Sequence, residues 1–450
     1  MHPYIPNGKR EKEEILAFIG AKNVMELFAD IPKDLQLKNG IDIPNGLTEL
    51  EVTVRLMELA NKNTSCKDVT CFMGAGAYDS FIPSAVKHIA SRSEFYTAYT
   101  PYQPEISQGT LQCIFEFQTM ICELTGMDVS NASMYDGASA AAESAIMALG
   151  INKKKKVIAS RSMHPDTRKV IKAYLKFRDV EFVEVPVKNG KTDIDALREL
   201  VDSDTGAVLI QNPNFFGIIE DGVEIGKIVH ATKALYIVSV ADALSLAVLK
   251  SPRELGADIA VGEGQAFGME LGFGGPYLGF MSTTDKYLRK MPGRICGETK
   301  DVDGKRAYVL TLQAREQHIR REKATSNICS NHALCALIAT VYLSMMGKEG
   351  LKDAAIQSGL NSRYLRDGLK KVGFKSLFKG DFFREFPIVL AVEVETANSL
   401  LLCNGILGGY DLGKDYPEYK GTMLLCTTEK RTKEEMDMLI KILASLEVAK

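Results

Sequence analysis

The chain has 450 residues, 46% hydrophobic and 25% charged, with a formal net charge of −2 and a pI near 6.4. That balance fits a globular protein with one large core and a smaller one, and gives no electrostatic footprint for nucleic acid or an anionic membrane. Nine scattered cysteines without a close CxxC pair, no histidines at metal spacing and no apolar leader or bilayer-length segment predict free or buried thiols in a cytoplasmic protein.

Helical spacing over 9–30 and 47–62 predicts a small N-terminal arm, with Ile15, Leu16, Phe18, Ile19, Met25, Leu27 and Phe28 forming one apolar stripe. Two loops follow, "FMGAGAYDSFIP" at 72–83 and "FYTAYTPYQPEISQG" at 95–109, dense in aromatic, glycine and proline residues outside any regular period. Ordering such loops costs conformational entropy, so they imply a tertiary or functional role. Tyr96, Tyr99 and Tyr102 are candidates either for an interface or for packing onto the main domain.

An amphipathic helix from about Leu111 ends at Gly126, a residue suited to a helix C-cap. Next, Asp136-Gly137-Ala138-Ser139 precedes a run of small residues that packs closely as a helix. A helix N-terminus with glycine can hold a phosphate on its free N–H groups, and the same pattern also describes an ordinary capped helix.

Short β-rich runs then alternate with helical ones. Strands are predicted at 156–160, 180–187, 207–213, 234–242, 257–263 and 277–283, with helices at 165–178, 193–202, 222–232 and 252–256. This is the rhythm of βαβ units building a mostly parallel sheet. Asp242 falls at the end of a strand, where such sheets present functional residues. It can hold a proton on a ligand's ring nitrogen or cap the next turn.

The glycine-dense stretch "ADIAVGEGQAFGMELGFGGPYLGF" at 257–280 looks like a loop that should carry a reactive side chain. Yet from Ser251 to Asp285 there is no lysine, histidine or cysteine. Beyond it Lys286, Arg289, Lys290 and Arg294 form a basic cluster, either a charged helix face or a patch for an acidic carrier. His318, Arg320, Arg321 and Lys323 precede a cap-like Thr325-Ser326-Asn327; they could clamp an anion or simply be solvated. A long apolar helix starting near Ser326 or Asn331 leads into a helix–strand–strand–helix pattern, a smaller α+β unit. The predicted division is 1–110 arm and interface loops, 111–344 large α/β domain, 345–450 small domain.

"TAYTPYQPEISQGTLQCIFEFQTMICELTGMDVSNAS", "FMGAGAYDSFIP" and "REKATSNICSN", in this order, closely resemble the P-protein, or glycine dehydrogenase (decarboxylating), of the glycine cleavage system. The likeness runs nearly end to end and corresponds to the N-terminal half, the α subunit of the form split into two homologous chains. It implies an α/β, PLP-dependent aminotransferase-like fold (fold type I). In that fold a lysine after the strand following the aspartate forms the Schiff base. Asp242 then matches the ring-nitrogen aspartate, and Gly137, Ala138 and Ser139 match the phosphate loop. The lysine position reads Gln265-Ala266, and attachment of PLP needs an amine.

The resemblance therefore implies a catalytically degenerate copy whose partner β subunit carries the lysine and the PLP, with Gly137, Ala138, Ser139 and Asp242 as vestiges. In the assembled enzyme glycine would lose its carboxylate as CO2 and pass its aminomethyl group to the lipoyl arm of the H-protein. Fold type I sites form at dimer interfaces, which makes Tyr96, Tyr99 and Tyr102 candidates for contact with the β subunit. A self-sufficient enzyme using a displaced lysine, Lys250 or Lys286, and a non-catalytic carrier-binding scaffold are the alternatives.

Overall fold

The computed structural model describes residues 4–38 and 40–448. The chain divides into two compact units, Met1–Thr64 and Ser65–Lys450.

In the first unit the helical pattern breaks at glycine. Helix Lys9–Ile19 ends at Gly20 in the left-handed region (φ 75°), and Val24–Phe28 is a separate 3-10 turn. Helix Glu49–Ala60 begins with a capping box in which Thr48 and Glu51 satisfy each other's amides. The apolar stripe predicted at 15–28 is not buried: none of the residues of these three helical elements is.

The second unit is built on a seven-stranded sheet: β1 Val129–Ser130, β2 Lys156–Ser160, β3 Glu181–Val185, β4 Thr205–Gln211, β5 Leu235–Val240, β6 Ile259–Glu263 and β7 Gly279–Thr283. Their spatial order is β1-β7-β6-β5-β4-β2-β3. Strands β2 to β6 pair parallel, whereas β7 runs antiparallel to both β6 and β1. The residues between β6 and β7 hold no crossover helix, so the chain can only fold back on itself there.

Along the central strands alternate residues enter different cores. Val208, Ile210 and Val238 pack into one cluster, while Ala207, Leu209 and Ile237 pack into another. Both faces of the sheet are therefore covered, which is why these strands read as unbroken apolar runs. Helix Gly137–Asn152 lies in the second cluster, with Ala140, Ala141, Ala142, Ala145 and Ala148 all fully buried. Its small side chains let the backbone lie close to the strands.

The helix predicted at 252–256 is absent. Pro252 and a left-handed Gly256 (φ 89°) make this stretch a turn. Helix Ala333–Lys371 is long and apolar enough to cross a bilayer, but Cys335, Ala336, Ala339 and Tyr342 are buried in the core and Gly347 breaks its backbone. Its second half flanks a four-stranded antiparallel sheet of Lys375–Ser376, Glu385–Val389, Thr422–Cys426 and Tyr410–Asp411, in that spatial order. Helix Val394–Cys403, which the sequence reading passed over, and helix Lys433–Val448 complete this part. It has its own core around Phe216, Phe374, Phe386, Tyr416 and Leu439.

Candidate active site remnant

The carboxyl ends of β2, β4, β5 and β6 open on a cleft of about 250 Å³. Its walls include Ala75, Gly76, Asp136, Gly137, His164, Ser239, Glu263 and Tyr277. This is where an open α/β sheet places its ligand, and of the sequence-predicted residues Gly137 and Ala138 line it.

Gly137 and Ala138 line the cleft at the start of helix Gly137–Asn152. Two of the first-turn amides, those of Gly137 and Ser139, are engaged. Asp136 accepts from Ser139 N at 2.7 Å in a capping box. Glu263, at the end of β6, accepts from Gly137 N at 3.0 Å through Oε2. Its Oε1 accepts from Leu278 N at 2.9 Å and Gln265 N at 3.1 Å. The approach is close: a Cβ on Gly137 would lie 3.0 Å from the Glu263 Cβ and 3.1 Å from its backbone nitrogen. Burial pushes the Glu263 carboxyl up to about 7, against the three amide donors that hold it down.

Asp242 sits two residues beyond β5, at the N-cap of the 3-10 turn Ala243–Ala247, and is buried. Arg384, fully buried, donates to it through Nε and Nη2, both at 2.6 Å. Burial raises the Asp242 carboxyl and the guanidinium pulls it back. Two short charge-assisted bonds keep the pair ionic. Arg384 also lies over the Tyr78 ring at 4.1 Å.

Gln265 and Ala266, where the lysine was expected, are both buried. The Gln265 carboxamide is saturated by backbone: Tyr78 N donates to Oε1 at 2.9 Å, and Nε2 donates to Tyr78 O at 3.1 Å and Met269 O at 2.8 Å. Tyr78 OH in turn donates to Glu385 at 2.9 Å, and Ala75 N donates to the same carboxylate at 2.6 Å. The Glu385 carboxyl is pushed up to about 7 by complete burial. His164 completes the wall. Its Nδ1 accepts from Asp166 N at 3.1 Å, which leaves the proton on Nε2 to donate to Ala75 O at 3.0 Å. Burial lowers its pKa, so the ring is neutral.

These residues do not fit pyridoxal phosphate. The residues lining the cleft include no lysine or arginine, whereas Asp136, Asp166 and Glu263 supply three carboxylates. Two first-turn amides are taken, and both Asp242 oxygens are bonded by Arg384. Lys250 and Lys286 are exposed and line no part of the cleft.

Glu263, His164, Arg384, Tyr78 and Glu385 escaped the sequence reading. Only Glu263, an acid at the carboxyl end of a predicted strand, carried a signal that could have been noticed.

The interface candidates lie elsewhere. Tyr96 and Tyr99 are 69% and 86% exposed and border a shallow apolar hollow with Phe95, Ile114 and Leu337. Tyr102, half-exposed, lies on the Arg294 guanidinium at 4.2 Å. Arg294 is itself buried, so the four basic residues at 286–294 do not form one surface cluster. In the 72–83 loop Phe72 and Tyr78 are buried and Phe81 is exposed. His318, Arg320, Arg321 and Lys323 are exposed and line no part of the cleft.

Residues 2–443 match the family model of the glycine cleavage system P-protein. The probable glycine dehydrogenase (decarboxylating) subunit 1 of Moorella thermoacetica is 53% identical over 97% of this chain and 98% of its own. The Bacillus subtilis protein of the same description is 52% identical over 98% of each. A crystal structure of glycine decarboxylase (P-protein) of the glycine cleavage system, in inhibitor-bound form, superposes with a TM-score of 0.89 at 40% identity, covering 99% of this chain and 100% of that one. A NifS-like protein, at 15% identity and a TM-score of 0.65 over 85% of this chain, shares the fold.

Proposed function

The chain belongs to the glycine cleavage system P-protein family, and on that premise we propose that it is the lysine-free subunit of a two-subunit glycine dehydrogenase (decarboxylating). The observation that carries this reading is the buried Gln265, hydrogen-bonded on every side, at the position where the fold would hold an amine. The partner subunit holds the pyridoxal phosphate, which supplies the electron sink for decarboxylation. In the complex glycine loses its carboxylate as CO2, and the remaining aminomethyl group passes to the lipoyl arm of the H-protein.

This chain's contribution is architectural. Tyr96, Tyr99 and the loop around them offer an apolar, aromatic surface of the kind that obligate interfaces use, and they complete the partner's site from outside. Gly137, Ala138, Ser139 and Asp242 are vestiges retained for packing. The division into arm 1–110, large domain 111–344 and small domain 345–450 belongs to the same proposal. The net charge of −2 and the free cysteines suit a cytoplasmic enzyme without nucleic-acid or membrane partners. No observation favours the self-sufficient or scaffold alternatives.

Mixing the two subunits tests the proposal. CO2 release from glycine in the presence of lipoylated H-protein should require both chains. Full turnover by the partner alone would refute it.

A further inference from the structure

We infer that the cofactor site of this chain is closed by two ligands of its own, Glu263 on the anion-binding helix terminus and Arg384 on Asp242, and not merely by the missing lysine. The inference rests on the reading that the partner alone holds the cofactor, and it goes beyond it by naming what excludes the cofactor here.

A pyridine-nitrogen and phosphate ligand needs two charged handles and an amine. The phosphate handle is the start of helix Gly137–Asn152. There Glu263 reaches in from β6 and takes the Gly137 amide, and Asp136 takes that of Ser139. Glu263 is no loose side chain: two further amides, from Gln265 and Leu278, hold its other oxygen. A phosphate dianion entering would have to displace a carboxylate held at three points, and it would meet Asp136, Asp166 and Glu263 with no cation among the lining residues.

The ring handle is Asp242, and Arg384 holds it through both oxygens in a site from which water is excluded. Releasing it would leave a buried guanidinium unpaired. A lysine at position 265 restores the nucleophile but neither handle.

The test uses the assembled two-subunit complex with Gln265→Lys, Glu263→Gln and the triple variant that adds Arg384→Met to both in this chain. After incubation with pyridoxal phosphate and borohydride reduction, peptide mapping locates pyridoxyl-lysine on each chain. Gln265→Lys alone should stay below a tenth of the partner lysine's labelling. Adding Glu263→Gln together with Arg384→Met, which take the anion from the helix terminus and the guanidinium from Asp242, should raise labelling at 265 at least tenfold. Labelling of Gln265→Lys alone to the partner's level would overturn the inference, as would a folded triple variant that stays unlabelled. Inorganic phosphate gives a second readout, since it should raise the melting temperature of the Glu263→Gln complex and leave the unsubstituted complex unchanged. Equal shifts in both would contradict the role of Glu263. Pyridoxyl on the unsubstituted chain would instead sink the prior reading that only the partner binds cofactor.

Discussion

Arg384 and Asp242, 142 residues apart in sequence, meet through two hydrogen bonds of 2.6 Å with both side chains buried. The pair joins the residue before strand Glu385–Val389 of the four-stranded sheet to the end of β5. It converts a position suited to a ligand into a strut.

Removing one partner strands the other. Arg384→Met should destabilise the complex by about 3–5 kcal/mol, because Asp242 is left charged and buried. Arg384→Met with Asp242→Asn should recover a substantial part of that loss. Urea unfolding of Arg384→Met, Asp242→Asn and the double variant beside the unsubstituted complex reads this directly, and full additivity would speak against a coupled pair.

Gln265 holds the 72–83 loop from within. Gln265→Ala leaves the Tyr78 amide and carbonyl without their partner, at a cost of about 1–3 kcal/mol for each unsatisfied buried group. Hydrogen exchange at the Tyr78 amide should accelerate in this variant.

Glu263 and Glu385 set a pH dependence. Both carboxyls are raised from 4.5 to about 7 by burial. Between those values the folded state keeps protons that the unfolded state has released. Stability therefore falls as pH rises from about 4.5 to about 7 and levels off above. Each group contributes on the order of 3 kcal/mol to this fall. Glu385→Gln, which cannot ionise and can still bond Ala75 and Tyr78, should flatten the curve of unfolding free energy against pH.

The tyrosines separate into two kinds. Tyr99→Ser should weaken association with the partner tenfold or more without changing this chain's own stability, since the ring is 86% exposed. Tyr102→Ala should also destabilise the chain, because Tyr102 covers the buried Arg294. Analytical ultracentrifugation and thermal unfolding distinguish the two effects.

Much of the fold was legible in the sequence because its strands are buried on both faces. Runs such as "AVLI" and "ALYIV" contain only apolar residues, and β4 and β5 fall where those runs stand. Asp242 and the Gly137–Ser139 turn were visible from their places at the ends of elements. Their partners were not, since Arg384 and Tyr78 reach the site only through tertiary folding. Periodicity misplaced a helix at 252–256, where five residues closed by the left-handed Gly256 are too few to propagate one. It also could not tell that the apolar stripe of residues 15–28 stays unburied within its unit.

The central claim is that this chain takes part in glycine decarboxylation without carrying the cofactor. Borohydride reduction of the active two-subunit complex, followed by peptide mapping of both chains, tests it most directly. The account predicts pyridoxyl-lysine on the partner alone, one per pair of chains, with none on this chain. A pyridoxyl-lysine at Lys250, Lys286 or any other lysine of this chain, present in proportion to activity, would contradict it.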